Sequence, residues 1–465
     1  MGSGIRAETT FDAVVVVPGI MGSELVDADG EVIWGLSPKV LAKAWLTARM
    51  NGLLVSEADL EGRPRLRPTR LLRSPAFLPG FHGLEPYSSL LRRLSEEIAI
   101  DPRAVSEFAY DWRLSIEHNA RLLVTRCSEH LERWRSIVAT ARYCDPAEVR
   151  VALVCHSMGG LVARYAENVL DARSMVSRTI TLGTPFFGSV KALQMLASGK
   201  GAPVPQRAAR GLALTCPGVY DLLPRYRCVV GGPSSGQSSS QDWTTSPAAD
   251  ARLLSVEDVV SLGGRKELAN AAAARHARLT ASTSAGDAGI LYPLVGAQQP
   301  TLQSVFIHDG ECAFAESLQG VDHGGDGTVY RQAAAPPGSV AFPLPQRHGA
   351  LAKTAETITF VRDKLIGADT GPPLGTRPVG LRVPADVPAG KPFEVWVSGT
   401  NDPAGVAVTS TELDNGGRTN WSAGRRRDSQ LLFMAPSLRP GLHRVEVKSG
   451  GYSAVSEIML VWDLP

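Results

Sequence analysis

The sequence has little net charge, few cysteines and no long apolar run. Its 465 residues include 48 Lys and Arg against 46 Asp and Glu, which gives a formal net charge of +2. Nucleic-acid binding needs a concentrated basic excess, so we expect no nucleic-acid partner. Apolar runs such as residues 13–17 are far shorter than the ~20 residues of a membrane-spanning helix. The first ten residues contain no apolar segment of the signal-peptide type, so we expect a cytoplasmic protein.

The six cysteines form neither a disulfide framework nor a metal-binding pattern. They are too few for a framework in a chain of this length, and no two are spaced as in CxxC zinc motifs. We therefore expect reduced thiols, no bound metal and no organic cofactor. The cysteines are Cys127, Cys144, Cys155, Cys216, Cys228 and Cys312.

The first part of the chain alternates predicted strands with predicted helices, which indicates an α/β fold with a mostly parallel sheet. The valine run in residues 12–18 lacks polar alternation, as is typical of a strand covered on both faces. Further strands are predicted over residues 105–109, 149–155 and 178–182, and helices over residues 87–99, 116–137 and 158–170. The inner face predicted for the longest helix consists of Leu122, Leu123, Leu131, Trp134 and Ile137.

Residues from about 190 to 300 interrupt this alternation and are predicted to be an inserted cap. They contain weakly helical segments and a Gly- and Ser-rich stretch over residues 231–241. A sheet-like pattern resumes at residues 303–307 and 339–342, and a helix over residues 350–366 ends the region. We therefore assign residues 1–366 to one domain.

The remaining residues have a different pattern. Residues 367–377 read as a linker, and residues 378–465 contain short alternating strands separated by turn residues at about ten-residue spacing. This spacing predicts a small antiparallel, Ig-like β-sandwich. We expect this domain to contact a membrane surface or a protein partner.

A serine stands between a predicted strand and a predicted helix, in residues 156–160, His-Ser-Met-Gly-Gly. In a nucleophile elbow the serine occupies a sharp, strained turn, and small neighbours let the strand and the helix approach each other. The N-terminus of the helix adds a positive dipole end near a developing oxyanion. Cys155 stands where the GxSxG motif has its first glycine, a place that other small residues can occupy. We therefore predict Ser157 as a nucleophile.

A serine hydroxyl is a weak nucleophile and needs a general base. In α/β-hydrolases the chain order is Ser, then Asp or Glu, then a His that follows the last strand. His348 follows the last predicted strand, so we predict it as the base. His308 and His323 come before that strand, and His156 is expected to support the turn.

The acid is expected in a loop after the penultimate strand. Residues 324–329, Gly-Gly-Asp-Gly-Thr-Val, place Asp326 in a glycine-rich turn that can direct a carboxylate inward. A buried aspartate orients the imidazole and stabilises its protonated form. Asp309 and Asp322 are the competing candidates. A calcium loop, the alternative for this segment, needs more alternating carboxylates than it contains.

An oxyanion hole needs two backbone N–H groups. Met158, which follows the serine, is predicted to provide one of them. The second is expected from the loop after the first strand, residues 17–23, where glycines let amides face the site. The position in that loop points to Ile20.

Several segments occur together in one order: VPGIMGS at 17–23, YDWRL at 110–114, HSMGG at 156–160, GTPFFG at 183–188, GDGTV at 325–329, and His348. In this set the sequence resembles the lecithin:cholesterol acyltransferase-like family of α/β-hydrolases, which includes lysosomal phospholipase A2 and phospholipid:diacylglycerol acyltransferases. The resemblance covers about residues 12–366, and the sandwich lies outside it. It implies acyl-ester chemistry on lipids, with Ser157, Asp326 and His348 as a catalytic triad. It also implies an oxyanion hole formed by Ile20 and Met158.

These expectations combine into one predicted function. We expect a serine esterase, lipase or O-acyltransferase that acts on lipid-like esters through an acyl-serine intermediate. The cap, with residues 35–80, is expected to exclude solvent and to provide an apolar acyl pocket. A peptidase or amidase would use the same three residues. A binding protein that retains the fold without catalysis is a further alternative.

Overall fold

The computed structural model describes residues 9–35, 51–72, 87–200, 206–231, 251–282, 290–368, 379–384, 386–412, 416–449 and 454–462. Three sequence predictions concern residues that lie wholly or mainly outside these ranges. They are the expected lack of a signal peptide in the first ten residues, the Gly- and Ser-rich stretch over residues 231–241 and the linker over residues 367–377. Parts of the predicted cap, residues 36–50 and 73–80, also lie outside them.

The first domain contains twelve strands among the described residues. They are β1 (Ala13–Val17), β2 (Ser23–Val26), β3 (Val32–Trp34), β4 (Arg67–Leu71), β5 (Val105–Glu107), β6 (Val151–His156), β7 (Val176–Leu182), β8 (Val229–Val230), β9 (Leu291–Gly296), β10 (Ser304–His308), β11 (Glu311–Ala315) and β12 (Phe342–Leu344).

The α-helices described lie between these strands or follow them. They are α1 (Glu57–Leu60), α2 (Ser88–Arg93), α3 (Ile116–Ala141), α4 (Met158–Val169), α5 (Val190–Ser198), α6 (Gln206–Thr215), α7 (Pro217–Tyr220), α8 (Val256–Ser261), α9 (Lys266–Ala281) and α10 (Ala355–Ile366). A π-helical turn, Leu94–Ile98, continues α2. Within the described ranges, no helix combines the length and the apolar character needed to cross a bilayer.

Six of the described strands form a parallel central sheet in the order β12-β9-β7-β6-β1-β5. Every residue of β1 is buried, which explains its unbroken valine run. Val15 faces a core cluster that includes residues of α3 and α4, whereas Val14 and Val16 face a second cluster that includes residues of α2 and α10. Helices therefore cover both faces of the sheet, as the sequence predicts.

The long helix α3 differs from the prediction at one position. Leu123, Leu131 and Trp134 are buried, but Leu122 is 46% exposed. A residue next to a buried one is rotated by about 100° around a helix with 3.6 residues per turn, so Leu122 points away from the sheet. The placement of Leu122 on the inner face is therefore wrong.

The range predicted as a cap contains one strand of the central sheet. Strand β9 lies within residues 190–300 and pairs in parallel with β7 on one side and β12 on the other. The predicted strand at 303–307 is present as β10, but it belongs to a separate small sheet with β8 and β11.

Asp221, which follows α7, joins the inserted segment to the core. It is fully buried, and its carboxylate accepts hydrogen bonds from the Ile116 amide at 2.8 Å and from Arg275 Nε at 2.8 Å. The Asp221 carbonyl accepts a third from His276 Nε2 at 2.7 Å. This one buried residue thus connects the start of α3 and helix α9 to the segment that follows α7.

The second domain is a sandwich of two sheets. Its strands are β13 (Gly380–Arg382), β14 (Asp386–Pro388), β15 (Glu394–Ser398), β16 (Val406–Glu412), β17 (Arg418–Asn420), β18 (Arg425–Arg427), β19 (Gln430–Met434), β20 (Gly441–Ser449) and β21 (Val455–Trp462). The sheet orders are β13-β15-β19-β18 and β14-β21-β20-β16-β17, and residues of both sheets share one apolar core. The pairings are antiparallel except that β14 runs parallel to β21.

Candidate active site

Ser157 occupies a tight turn between β6 and α4. Its backbone has φ 51° and ψ −125°, a conformation that costs an L-residue strain. Gly159 has no room for a side chain, because a Cβ there would stand 2.5 Å from the Pro18 carbonyl oxygen. A Cβ at Gly160 would collide with the Thr184 hydroxyl. Both glycines therefore let the start of α4 lie against the ends of β1 and β7.

The structure brings Ser157, His348 and Asp326 together in a hydrogen-bonded chain. His348 Nε2 lies 2.8 Å from Ser157 Oγ, and His348 Nδ1 lies 2.7 Å from Asp326 Oδ2. A carboxylate oxygen only accepts, so Nδ1 carries the proton and the lone pair of Nε2 accepts from the serine hydroxyl. All three residues are buried, with 5%, 7% and 1% of their surface exposed. The serine is therefore in contact with a base whose orientation is set by a carboxylate.

Asp326 is held in place by its own loop. Its second oxygen, Oδ1, accepts hydrogen bonds from the amides of Thr328 at 2.9 Å and Val329 at 2.6 Å. Its carbonyl accepts from the His348 amide at 2.8 Å. The glycine-rich turn thus folds back on the carboxylate and leaves Oδ2 for the imidazole.

Gly183, at the end of β7, lies directly beside the contact between the carboxylate and the imidazole. It has φ 62°, and a Cβ there would stand 3.0 Å from Asp326 Oδ2 and 3.1 Å from His348 Nδ1. A side chain would press on this pair from one side. The glycine of the GTPFFG segment is therefore required both by its conformation and by the space it leaves.

His156 connects the loop after β1 to the His348 backbone. Its Nε2 donates to the His348 carbonyl at 3.1 Å, so its Nδ1 is the acceptor for the Tyr87 hydroxyl at 2.8 Å. The same hydroxyl accepts from the Gly19 amide at 2.9 Å. Burial, and then the nearby His348 imidazole, lower the pKa of His156 to about 3, so it remains neutral. The expected support of the turn by His156 thus extends to both neighbouring loops, and Tyr87 is a contributor that no sequence motif indicated.

The loop after β1 lies against the serine. A Cβ at Gly19 would stand 2.8 Å from Ser157 Cβ, and Ile20 follows it, half-buried, at the turn. Met158 is the first residue of α4, so its amide lies outside the hydrogen-bond ladder of that helix. The structure therefore places both predicted oxyanion-hole residues on segments adjacent to Ser157.

The YDWR segment, residues 110–113, holds this same loop. The Tyr110 hydroxyl donates to the Pro18 carbonyl at 2.9 Å, and Trp112 Nε1 donates to the Ser23 carbonyl at 3.3 Å. Arg113 is fully buried and makes a two-point contact with Asp111, at 2.9 and 2.7 Å. This segment therefore braces both ends of the loop.

The competing candidates lie elsewhere. His308 and Asp309 are exposed and pair with each other at 3.3 Å. Asp322 Oδ1 accepts from Gln303 Nε2 at 2.6 Å, and His323 packs edge-on against a tyrosine. Among the described residues, no group of three or more His, Cys, Asp or Glu side chains is arranged to hold a metal ion.

The parallel sheet covered by helices and the strand–serine–helix turn define an α/β-hydrolase fold. The family model for lecithin:cholesterol acyltransferase matches residues 80–253, which confirms the resemblance predicted from the sequence. The matched range contains Ser157 and the YDWR segment but neither Asp326 nor His348.

Other comparisons find more distant likenesses. The uncharacterized protein YJR098C of Saccharomyces cerevisiae is 26% identical over 173 residues, which are 37% of this chain and 23% of that protein, so the match spans about a quarter of that relative. The Tle4–Tli4 complex aligns at 17% identity over 76% of this chain and 96% of that chain, with a TM-score of 0.45. The mature Bacillus licheniformis lipase BlEst2 aligns at 14% identity over 78% and 95%, with a TM-score of 0.33.

Proposed function

We propose that the protein is a serine-dependent acyl-ester hydrolase or O-acyltransferase that acts on lipid-like esters through an acyl-serine intermediate. The observation that carries the proposal is the chain of contacts from Ser157 Oγ through the His348 imidazole to Asp326, at 2.8 and 2.7 Å. Hydroxyl, imidazole and carboxylate in this order are the parts that acyl transfer by a serine requires.

In the proposed mechanism, His348 Nε2 takes the hydroxyl proton while Ser157 Oγ forms a bond to the ester carbonyl carbon. The carbonyl oxygen becomes an oxyanion, and the amides of Ile20 and Met158 donate to it. Collapse of this intermediate breaks the bond to the leaving alcohol, which takes the proton from His348. Water or a second alcohol then attacks the acyl-serine with the same proton transfers in reverse order. The products are a free acid or a new ester, and Ser157 regains its proton.

A mostly apolar cavity, lined by Phe187 and residues of the predicted cap but by none of Ser157, Asp326 and His348, is the candidate place for a lipid-like acyl group. The cavity has a volume of about 440 Å³, which falls in the range of small-molecule pockets. Its lining includes Phe187, Leu223, Leu254, Val256, Val259 and Ala272. We therefore expect kcat/KM for p-nitrophenyl esters to rise from acetate to longer acyl chains, and equal values for acetate and decanoate would contradict a lipid-like substrate.

The mechanism is tested by Ser157→Ala, with fluorophosphonate labelling and ester hydrolysis measured on both forms. The wild type is expected to label and to hydrolyse, and the variant to do neither. The matched control is Ser174→Ala, at an exposed serine outside the site, which should keep both activities. Hydrolysis retained by Ser157→Ala, or a wild type that does not label, would refute the serine mechanism.

The same three residues would also serve a peptidase or amidase, so substrates decide between these functions. Aminoacyl p-nitroanilides cleaved faster than esters would favour the peptidase. Chromatography of lipid products with and without an added alcohol separates hydrolysis from acyl transfer. A folded wild type that binds lipid but neither labels nor turns over any substrate would favour the binding protein.

A further inference from the structure

We propose that the C-terminal sandwich is a positioning element of the candidate active site and acts through an ion pair between Arg347 and Glu457. The inference rests on the proposed function, since it concerns the residue assigned there as the base. It gives the second domain a role within the reaction rather than only in contact with a partner.

Arg347 precedes His348 in the chain, and its side chain contacts two residues of the sandwich. Arg347 Nε lies 2.6 Å from Glu457 Oε2, with only 18% and 6% of the two side chains exposed. The guanidinium also donates to the Leu381 carbonyl. Glu457 lies on β21 and Leu381 on β13, so one arginine contacts both sheets of the sandwich. The backbone that presents His348 is therefore attached to the second domain one residue away.

The loop that carries Asp326 has its own attachment. Gln299 is 1% exposed; its Nε2 donates to the Val379 carbonyl at 3.0 Å, and its Oε1 accepts from the Leu381 amide at 3.2 Å. The Gln299 backbone amide donates to the Gly325 carbonyl at 2.9 Å. Gly325 is the neighbour of Asp326, so the start of the sandwich supports the acid as well as the base.

The Arg347 guanidinium lies close to the loop that carries Asp326, so its pairing with Glu457 matters for that loop. Its Nη1 would lie 2.9 Å from a Cβ placed on Gly327, the residue after Asp326. A guanidinium that has lost its carboxylate partner at this place would be attracted to Asp326, the carboxylate that orients the imidazole. Because the Arg347 guanidinium pairs with Glu457, the Asp326 carboxylate remains available to orient His348.

Lys191 brings a second cation to the same loop, because its Nζ donates to the Gly327 carbonyl at 3.2 Å. Burial lowers the pKa of Lys191, while the carboxylates of Glu457 and Asp326 oppose that shift and the Arg347 guanidinium adds to it. The four groups therefore lie in one electrostatic neighbourhood with two positive and two negative charges. Removing Glu457 takes away one of these two carboxylates and leaves the other, Asp326, with both cations.

The test is Glu457→Gln in the full chain, assayed with a short soluble ester and with fluorophosphonate titration to count reactive serines. We expect kcat per titrated site to fall about tenfold with KM changed less than twofold, because a displaced base lowers the rate without changing substrate binding. The matched control is Arg382→Gln. It removes a different ion pair at the same domain boundary, the one with Glu316, and it should retain the wild-type kcat.

A double variant separates positioning from simple loss of stability. In Arg347→Gln/Glu457→Gln the competing guanidinium is absent, so its kcat is expected to exceed that of Glu457→Gln alone. A loss of stability alone would instead lower the number of titratable serines and leave kcat per titrated site at the wild-type value in both variants.

A second readout does not depend on turnover. The ring N–H proton of His348 Nδ1, observed by NMR with histidine-selective nitrogen labelling, should shift or broaden in Glu457→Gln and remain unchanged in Arg382→Gln. A wild type without activity would refute the proposed function, and this signal would still test the positioning. Glu457→Gln equal to the wild type in both readouts, or a double variant below Glu457→Gln, would overturn the inference.

Discussion

Lowering the pH from 7.5 to 5.5 is expected to destabilise the fold through two buried histidines, His156 and His276. Burial is the main cause that lowers the pKa of each to about 3, and the nearby Arg225 guanidinium contributes at His276. An unfolded histidine titrates near 6.5. Between these values the unfolded chain binds protons that the folded chain does not. Stability from this source is therefore complete above pH 6.5 and is lost as the pH falls towards 3.

The expected size follows from the linkage relation. Each histidine costs about 1.4 kcal/mol between pH 7.5 and 5.5, and the pair about 2.7 kcal/mol. Burial also lowers the pKa of His118 and of His130, which adds to the loss, whereas burial raises the pKa of the Glu167 and Asp221 carboxyls, which opposes it. The variant His276→Gln can still donate to the Asp221 carbonyl and cannot be protonated. It should lose about 1.4 kcal/mol less than the wild type over this range.

The assay is urea unfolding followed by circular dichroism at pH 7.5, 6.5 and 5.5, with the free energy of unfolding extrapolated to water. His308→Gln is the control, because it removes an exposed histidine, with 72% of its side chain accessible, instead of a buried one. A His276→Gln variant with the full pH dependence of the wild type would refute the reasoning, because it would mean that His276 binds its proton equally in both states.

Further predictions concern Tyr87, Gly19 and Gly211. Tyr87→Phe leaves the Gly19 amide and His156 Nδ1 without their shared hydroxyl. This should cost about 1–3 kcal/mol of stability for each buried group, and it should also lower kcat. Urea unfolding and ester hydrolysis measure these two effects. Gly19→Ala should lower kcat at least about tenfold, because its Cβ would stand 2.8 Å from Ser157 Cβ; kinetics per labelled site check this. Gly211→Ala, at an open position within α6, should instead raise stability by about 0.5–1 kcal/mol with activity unchanged, and a loss of activity there would contradict the assignment of the site.

The central strands and the serine turn were predictable because their signals are local. The buried valines of β1 and the glycines after Ser157 follow from two-sided burial and from close backbone approach. Strand β9 was not predicted, and Pro293 within it gives one reason. Proline removes a ladder donor and usually argues against a central strand, yet here it pairs with Thr181 in the middle of the sheet.

The long-range support of the site was not predictable from the sequence. The order Ser, Asp, His along the chain pointed to Asp326 and His348 without any knowledge of their distance. No pattern in the sequence indicates that Tyr87 joins His156 to Gly19, or that Arg347 reaches Glu457 more than a hundred residues later. Such contacts depend on how domains and loops come together in space, and a single sequence does not record this.

The contact between Arg347 and β21 also bears on the order in which the parts of the protein are synthesised. A ribosome completes β12 and the His348 segment long before it reaches β21, which contributes Glu457. Domains generally fold as units from the N-terminus during synthesis. The nascent first domain therefore holds its serine, imidazole and carboxylate before their outer brace exists. If the proposed function holds, full reactivity is then expected only after β21 is in place, so a chain still being translated would carry an incompletely braced site.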